Sequence, residues 1–359
     1  MEKVSAADPL PALMHTPQKS FAMSHASEIS AARRFSQLLA ERAGFGATEA
    51  GRLAIVVTEA GTNILKHAAD GWLILNTVER DGRYGIEVLA LDRGPGIVNV
   101  GQSLRDGVST AGTAGTGLGA MRRLADEFDV YSVPGEGVAV HMVILADHAL
   151  PRGVVDDLDG VTSGASRLCF GAVCLPIANE EACGDAWGIE QDRRTATVVV
   201  ADGLGHGPGA AAASDAAVGV LRQDATLAPA RLIQAMHEAL RPTRGAAAAV
   251  MKLDADAGML CFAGIGNITA CVIDGDANHQ MVSHNGIVGH NLRKVQEFSA
   301  PWPVGALCIF CSDGIGTQWN MAAYPGLLGC HPALIAGVLY RDFMRLRDDA
   351  TVLVVRRVY

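Results

Sequence analysis

The sequence lacks several features that mark common protein classes. No apolar run reaches the roughly 18 residues that a membrane-spanning helix needs, and residues 1–20 contain no apolar signal core before their prolines. Basic residues are in deficit, with 29 Lys and Arg against 38 Asp and Glu and a net charge of -9. This balance argues against a protein that neutralises nucleic-acid phosphates. We therefore expect a cytoplasmic protein that binds neither nucleic acid nor membrane.

Cysteine is missing from the first half of the chain, since all eight cysteines lie between Cys169 and Cys330. The single Cys-x-x-Cys, Cys308 to Cys311, lies in a continuous apolar run. As a strand, that spacing sends the two sulfurs to opposite faces, which excludes joint ligation of one metal ion. The pattern predicts small buried hydrophobic side chains with reduced thiols, as is typical of the cytoplasm.

The 359 residues, with 49% hydrophobic and 19% charged side chains, are enough for two globular domains. Turn residues and acids are concentrated near residues 150–164, where no core can form. We predict a flexible tail at 1–20, an α+β domain at 21–148, a linker at 149–165 and a β-rich domain at 166–359. The first domain should contain a helix over 48–69, strands over 72–78 and 85–91, and a helix over 118–127. Two Ala-rich helices are predicted in the second, near 210–221 and 229–240.

Polar residues recur along one edge of the predicted 48–69 helix. Glu59, Asn63 and His67 are spaced i, i+4, i+8, so they share one side of the helix. A carboxylate and a carboxamide one turn apart are able to hold Mg²⁺ and a hydroxyl group together. A solvated flank explains the same spacing, so this triplet does not decide between the two readings.

Two glycine-rich segments follow. Asp92-Arg93-Gly94-Pro95-Gly96 comes directly after an apolar strand, and residues 112–119 read GTAGTGLG before a predicted helix. An acid at a strand end accepts a hydrogen bond from a purine amino group, and backbone N–H groups at a helix start cradle phosphates. The chain has no Gly-Lys dipeptide, which excludes a Walker A loop, and a coil instead of a strand precedes 112–119, which excludes a Rossmann turn.

The order of these boxes resembles the GHKL ATPase superfamily, in its RsbT- and RsbW-like branch of serine kinases and anti-sigma factors, over about residues 21–146. The resemblance implies a Bergerat-type α/β sandwich that binds ATP and Mg²⁺. It implies that Glu59 is the base that activates a protein hydroxyl, that Asn63 binds Mg²⁺ and that Asp92 binds adenine. The remaining nucleotide-binding residues it implies are Gly94, Gly96, Gly115, Thr116, Gly117, Leu118 and Gly119.

A sensor histidine kinase is the alternative within the superfamily. Such a kinase needs a phospho-accepting histidine on a dimerising helix upstream. His25 precedes one short amphipathic helix and lacks the expected acid-Arg flank. We interpret His25 as structural or exposed, and His67 stays ambiguous.

In the second half, acids stand beside glycine at the ends of apolar strands. Gly184-Asp185, Asp202-Gly203 and Asp313-Gly314 are three such pairs, and Asp348-Asp349 precedes a further strand. Any one Asp-Gly pair is explained by turn chemistry alone. Several acids at strand ends, spread over about 165 residues, favour convergence on hard divalent cations.

The ordered motifs resemble the PPM family of metal-dependent serine/threonine phosphatases, in its SpoIIE- and RsbX-like branch, over about residues 166–357. The resemblance implies a β-sandwich flanked by helices, with two Mn²⁺ or Mg²⁺ ions that activate water. The metal ligands it implies are Asp185, Asp202, Gly203, Asp313 and Asp348, with Asp202 also counted as catalytic. We prefer Asp348 to Asp349 because the family motif places the ligand first.

Two departures and one open role accompany this resemblance. Cys183 stands where the family has a second glycine, and Gly188 stands where it has an acid, so an additional ligand from that turn is in doubt. His206 is a candidate proton donor, and packing in an exposed loop explains it equally well.

Together the resemblances imply a bifunctional partner-switching regulator. The first domain would phosphorylate a STAS-type anti-sigma factor antagonist, and the second would remove the phosphate from that protein or from a paralogue. A sigma factor or a downstream phosphatase are further candidate partners, and the resemblance is compatible with a homodimer. Two alternatives remain open. The first domain is a non-catalytic anti-sigma-type binding module, or it is an ATP-responsive brake on the phosphatase.

Overall fold

The computed structural model describes residues 18–105, 117–148, 168–192, 195–275 and 277–358. Within these ranges the chain forms three five-stranded sheets, one in the N-terminal half and two in the C-terminal half. The predicted linker, 149–165, lies outside the described residues, as do Gly115 and Thr116. No helix in the described part of the chain combines the length and apolar character needed to cross a membrane.

The N-terminal half is an antiparallel sheet with helices packed on one face. Its strands are β1 (Lys19–Ala22), β2 (Gly71–Arg80), β3 (Arg83–Asp92), β4 (Glu127–Ser132) and β5 (Val138–Leu145), in the order β1-β2-β3-β5-β4. Its helices are α1 (Ala26–Arg42), α2 (Ala47–His67), α3 (Val100–Ser103) and α4 (Gly117–Leu124). The predicted apolar stripe of α2 is buried against the sheet and consists of Leu53, Val56, Val57, Ala60 and Ile64. This is the predicted α/β sandwich.

Two boundaries in this half differ from the prediction. Lys19 and Ser20, placed in the flexible tail, belong to β1, because Phe21 and Met23 next to them are buried in the core. The helix predicted to reach Glu127 ends at Leu124, and Glu127 begins β4. The Asp126 carboxylate accepts the Leu145 N–H at 2.8 Å, which turns the chain into the sheet.

A tight hairpin fixes the end of β3. Asp81 and Gly82 both have positive φ, +51° and +71°, as a type I′ turn requires. The turn pairs Arg80 with Arg83 and, at the far end, Gly71 with Asp92. Asp92 is thereby held at the end of the central strand β3, near the C-terminus of α2.

The C-terminal half is a sandwich of two sheets flanked by helices, as predicted. One sheet contains β7 (Asp185–Gln191), β8 (Thr195–Gly203), β9 (Ala246–Asp254), β10 (Met259–Ile265) and β13 (Phe298–Pro301), in the order β13-β10-β9-β8-β7. The other contains β6 (Leu168–Leu175), β11 (Thr269–Asp274), β12 (Ala277–Gln280), β14 (Leu307–Cys311) and β15 (Ala350–Arg357), in the order β12-β11-β14-β15-β6. The predicted helices α5 (Pro208–Gln223) and α6 (Pro229–Leu240) cover the first sheet.

The cysteines behave largely as small hydrophobic side chains. All eight are free, and Cys271, Cys308 and Cys311 are buried. Cys308 packs in the core between the two sheets, whereas Cys311 packs on the opposite face, under a helix. The prediction that this Cys-x-x-Cys cannot hold one metal ion is confirmed.

That helix, α7 (Pro332–Phe343), has no counterpart among the predicted elements, and it joins the two halves of the molecule. It packs on β6 and β15 on one side, and on β3 and β5 of the N-terminal sheet on the other. A methyl group on Gly337 would lie 2.7 Å from a Leu89 methyl carbon and 2.9 Å from one of Leu91. The glycine therefore permits the close approach of α7 to the N-terminal sheet.

Candidate active sites

Two of the predicted nucleotide-site boxes face each other in the N-terminal half. Glu59 and Asn63 lie one turn apart on α2, both half-buried. A methyl group on Gly117, the first residue of α4, would lie 3.1 Å from Glu59 Oε2 and 3.2 Å from Asn63 Oδ1. The glycine leaves both polar groups accessible to a ligand. Leu118 and Gly119 follow it in the first turn of α4.

Asp92 is held rigidly with one carboxylate oxygen to spare. Its Oδ1 accepts the N–H groups of Gly94, at 2.7 Å, and Val138, at 3.2 Å. Burial raises the pKa of this carboxyl, against the lowering effect of those two hydrogen bonds. In the part of the chain that the structure describes, Oδ2 has no hydrogen-bond partner, so it is free to accept one from a ligand amino group.

The two glycines after Asp92 are fixed by close contacts. A methyl group on Gly94 would lie 2.8 Å from the His67 carbonyl oxygen. Gly96 has φ +69°, and a methyl group there would lie 2.3 Å from the Val133 carbonyl oxygen. Larger residues would displace the segment that carries Asp92. His67 is exposed; its carbonyl oxygen lies beside Gly94, and its charge acts to lower the pKa of Asp92.

A second opening leads to Glu59 from the protein surface. A cavity of about 180 Å³ between α1 and α2 is lined by Arg33, Ala54, Ile55, Thr58 and Glu59. Glu59 thus borders this cavity on one side and Gly117 on the other. A group that enters from outside and a ligand held by α4 would meet at the same carboxylate.

Acids converge at one end of the C-terminal sandwich. Asp185 and Asp202 are direct partners across β7 and β8. Asp185 is 4% exposed and its Oδ2 has no hydrogen-bond partner among the described residues. Burial, reinforced by neighbouring carboxylates, raises the pKa of both Asp185 and Asp202 well above the usual range for aspartate. Asp313, Asp348 and Asp349 are among those neighbours.

The adjacent pair Asp348-Asp349 divides into two environments. Asp349 is buried, and its carboxylate accepts the N–H groups of Ile177 and Gly184, each at 2.8 Å. Asp348 is half-buried and accepts only the N–H of Asp349 among the described residues. Asp349 thus braces the loop before β7, and Asp348 keeps an oxygen free for a ligand.

The remaining predicted residues lie at the same end. Asp313 follows β14, and its Oδ2 accepts the side-chain amide of Asn267 at 2.6 Å. Gly203 ends β8 and is buried, with no room for a methyl group because the Ala210 carbonyl oxygen would be 2.1 Å away. His206 is exposed and its Nδ1 pairs with Glu180 at 2.8 Å.

The donor set of this acidic cluster fits hard divalent cations. It offers carboxylate oxygens in a partly dehydrated cleft, and their mutual repulsion raises the proton affinity of Asp185 and Asp202. A divalent cation relieves that repulsion and supplies a partner for the unpaired oxygen of Asp185.

A second close group of ligand-type side chains lies between the halves of the molecule and was not predicted. Glu127, His141 and His331 have ligand atoms within 4.8 Å of one another. The histidine rings are parallel, with centroids 4.2 Å apart and planes at 5°. Their lone pairs lie in the ring planes and do not converge, so we interpret the group as a hydrogen-bonded interface instead of a metal centre.

Asp92, the predicted adenine-binding acid, also contacts the other half directly. Arg341 of α7, 2% exposed, donates to the Asp92 carbonyl oxygen at 3.0 Å. Arg93 donates back to the Arg341 carbonyl oxygen, and Arg341 pairs with Asp342 at 2.7 Å. No spacing or motif in the sequence pointed to this contact.

Comparison with known proteins bears on both halves. A family model described as histidine kinase-like ATPase domain matches residues 23–144. The serine/threonine-protein kinase RsbT of Bacillus subtilis is 35% identical over 116 residues, which cover 32% of this chain and 87% of RsbT. The chain belongs to the RsbT-like histidine kinase-like ATPases. The family model of stage II sporulation protein E matches residues 192–358, so an RsbT-like domain is followed by a domain similar to stage II sporulation protein E.

Two further similarities agree with this architecture. The anti-sigma F factor of Pasteuria penetrans is 35% identical over 96 residues, which cover 24% of this chain and 63% of that protein. A solved structure from work on the bacterial stressosome, a modular system adapted to control secondary messenger signalling, is 27% identical with a TM-score of 0.51. It covers 53% of this chain and all of its own. The relatives thus include a serine/threonine-protein kinase, an anti-sigma factor and a structure from the bacterial stressosome.

Proposed function

We propose that the chain is a bifunctional partner-switching enzyme. Its N-terminal site transfers phosphate from ATP to a serine or threonine of a STAS-type antagonist protein. Its C-terminal site hydrolyses the resulting phosphoester, on that protein or on a paralogue. The observation that carries the proposal is the presence of two separate carboxylate-centred clefts in one chain, one built on α2 and α4 and the other on the ends of the sandwich strands.

The position of Glu59 supports transfer to a protein hydroxyl. Its carboxylate lies between Gly117, at the start of α4, and the cavity that opens to the surface. A hydroxyl entering through that cavity would meet a general base, while ATP would be held by Asp92 and by the N-terminus of α4. Asn63 would bind Mg²⁺ beside the phosphates, and the ion would neutralise charge that develops there.

The acidic cluster supports hydrolysis of a phosphoester. Asp185, Asp202, Asp313 and Asp348, with the Gly203 carbonyl, would hold two Mg²⁺ or Mn²⁺ ions. When bound, these ions supply the positive charge that activates water and stabilises the phosphoryl oxygens. Asp349 braces the loop before β7 through its two backbone hydrogen bonds, which keeps Asp185 in place. His206, already paired with Glu180, stays a candidate proton donor.

The partner is proposed from the relatives. RsbT, an anti-sigma factor and a stressosome structure are among the similar proteins, and such partner-switching systems act through STAS-domain proteins. Joining the two activities in one chain raises the local concentration of each at a shared partner to roughly millimolar for a short flexible connection. A sigma factor or a downstream phosphatase would be a further partner of the same switch.

Labelled ATP tests the proposal. The protein is incubated with ATP carrying a labelled γ-phosphate and a candidate STAS-domain protein. We expect Asp202→Asn to leave the partner stably labelled, Asn63→Ala to give no label, and wild type to label and then release phosphate. A stable complex without label transfer would show that the N-terminal domain is a binding module and not a kinase. One substitution that abolishes both activities would contradict independent sites.

One observation favours a second function for the N-terminal domain, that of an ATP-responsive brake. The Asp92 backbone is hydrogen-bonded to Arg341 of α7. Just beyond that helix, the Arg345 N–H donates to the Gly314 carbonyl oxygen at 2.8 Å, next to Asp313. A short path of packed backbone thus joins the predicted adenine site to the acidic cluster. A non-hydrolysable ATP analogue should then change the rate of p-nitrophenyl phosphate hydrolysis, and an unchanged rate at saturating analogue would remove this function.

A further inference from the structure

An exposed arginine, Arg244, lies near the strand ends that carry the acidic cluster. It lies two residues before β9, whose Ala246 and Ala247 pair with Gly203 and Asp202. In the described part of the chain its guanidinium has no hydrogen bond and no ion pair. Glu180, whose carboxylate lies beside Gly207, is already paired with His206.

The guanidinium lies against Gly205, in the loop that follows Asp202, and against Gly209, in the first turn of α5. A methyl group on Gly209 would lie 2.8 Å from Arg244 Cζ, and one on Gly205 would lie 3.3 Å from Arg244 Nη1. The absence of side chains at both positions lets the guanidinium lie close to the backbone there.

The same loop reaches the acidic cluster. The Leu204 N–H donates to the Gly245 carbonyl oxygen at 3.0 Å, which fixes the loop to the residue after Arg244. On its other side, the Gly205 carbonyl oxygen lies 3.3 Å from the position that a methyl group on Gly184 would occupy. The Asp349 carboxylate oxygen lies 2.5 Å from that position. The loop therefore separates Arg244 from the acids by the width of one backbone segment.

We infer that Arg244 binds the phosphate group of the phosphoserine or phosphothreonine substrate at the C-terminal site. The inference rests on the proposed phosphatase function. A phosphate dianion that approaches five carboxylates is repelled by them. The metal cations neutralise the phosphate oxygens that face them, and the outer oxygens need a positively charged partner as well. An arginine presents two parallel N–H donors to such an anion, with a geometry that lysine lacks.

Substitution of the arginine tests the inference on the full chain with Mn²⁺ bound. We expect Arg244→Ala to raise the KM for p-nitrophenyl phosphate about 10- to 100-fold, as the loss of a hydrogen bond between charged groups does, with a smaller change in kcat. Arg244→Lys should recover part of the affinity. Arg222→Ala is the matched control, because Arg222 is exposed near the far end of α5, about 20 Å along the helix from Pro208.

A second pair of variants tests the position of the guanidinium without changing Arg244 itself. Gly209→Ala places a methyl group 2.8 Å from Arg244 Cζ, whereas Gly219→Ala, in the same helix, meets nothing within 4 Å. Both changes favour helix formation, so neither should unfold the domain. We expect Gly209→Ala to weaken phosphate binding and Gly219→Ala to leave it unchanged.

Calorimetric binding of inorganic phosphate to the Mn²⁺-loaded protein separates this inference from the phosphatase itself. Weaker binding in Arg244→Ala and Gly209→Ala, with both controls unchanged, supports the inference. Equal binding in wild type and Arg244→Ala overturns it, whether or not the wild type hydrolyses the ester. A wild type that binds phosphate through Arg244 but hydrolyses no ester would refute the phosphatase and leave the assignment of Arg244 in place.

Discussion

Acidification should loosen the contact between the two halves through His331. This residue precedes α7, and its Nδ1 accepts the Ala333 N–H at 3.1 Å. Its ring stacks on His141, which is hydrogen-bonded to Glu87 at 2.9 Å. Burial lowers the pKa of His331 to about 3, and the charges of His141, Arg80 and Arg356 act in the same direction. The charge of Glu87 opposes this shift.

The sign and size of the effect follow from this pKa. A histidine whose folded pKa is lowered stabilises the fold above its unfolded value of 6.5, and that stability is lost as the pH falls toward the folded value. At pH 5 the unfolded chain binds the proton and the folded chain does not. The difference of 1.5 pH units costs about 2 kcal/mol, at about 1.4 kcal/mol per unit.

Glu87 does not contribute in the same range. Burial alone would raise the pKa of Glu87, but the hydrogen bond and the charge of His141 bring it down to about 2. A carboxyl with a lowered pKa loses its contribution only as the pH falls below the ordinary value of 4.5. Glu87 therefore adds nothing between pH 7 and pH 5. Asp185 and Asp202, whose pKa values burial raises, titrate alike in wild type and in a His331 variant, so the difference between the two proteins belongs to His331.

Urea denaturation at pH 7 and pH 5 measures the effect in wild type and in His331→Asn. Asparagine is a good N-cap, so the variant keeps a side-chain acceptor for the first turn of α7 and loses the titrating ring. We expect wild type to lose about 2 kcal/mol more than the variant between the two pH values. Parallel losses in the two proteins would refute the reasoning.

Three further predictions test single contacts. Glu59→Gln should lower phosphate transfer about 10²- to 10⁴-fold, as the loss of a general base does, with ATP affinity measured by calorimetry unchanged; normal transfer would rule out Glu59 as the base. Gly337→Leu should destabilise the chain by about 1–3 kcal/mol through overpacking against the N-terminal sheet and abolish any effect of ATP on ester hydrolysis, whereas Gly219→Leu should do neither. Asp349→Ala should lower the thermal stability of the metal-free protein by about 1–3 kcal/mol for each N–H left unpaired. Asp348→Ala should weaken Mn²⁺ binding without lowering that stability, because it removes a carboxylate that repels its neighbours; the reverse pattern would exchange their roles.

The elements that carry the two sites could be predicted because each has a local signal. The stripe from Leu53 to Ile64 has helical spacing, and its burial orients Glu59 and Asn63 toward α4. In the second half, Asp202 and Asp313 each follow an apolar run that forms a strand. The ends of these strands lie at the same end of the sandwich, which brings the two acids together. Spacing alone gave the positions, and the resemblance to two families gave the roles.

The contact between the halves left little trace in the sequence. Helix α7 is buried along nearly its whole length. It has apolar residues on every face, and this signal could have predicted a helix with a sheet packed on either side of it. Arg341 and Arg244 could not have been predicted, because each acts through backbone or glycine contacts with residues distant in the chain. Such contacts have no period and no motif.

Anomalous diffraction at the manganese edge tests the central claim most directly, on crystals soaked with Mn²⁺ and a non-hydrolysable ATP analogue. The two-cleft account predicts one manganese beside Asn63 with the nucleotide base at Asp92. It also predicts a manganese pair among Asp185, Asp202, Asp313 and Asp348. Nucleotide bound away from Asp92, or an acidic cluster that takes up no manganese, would contradict the account.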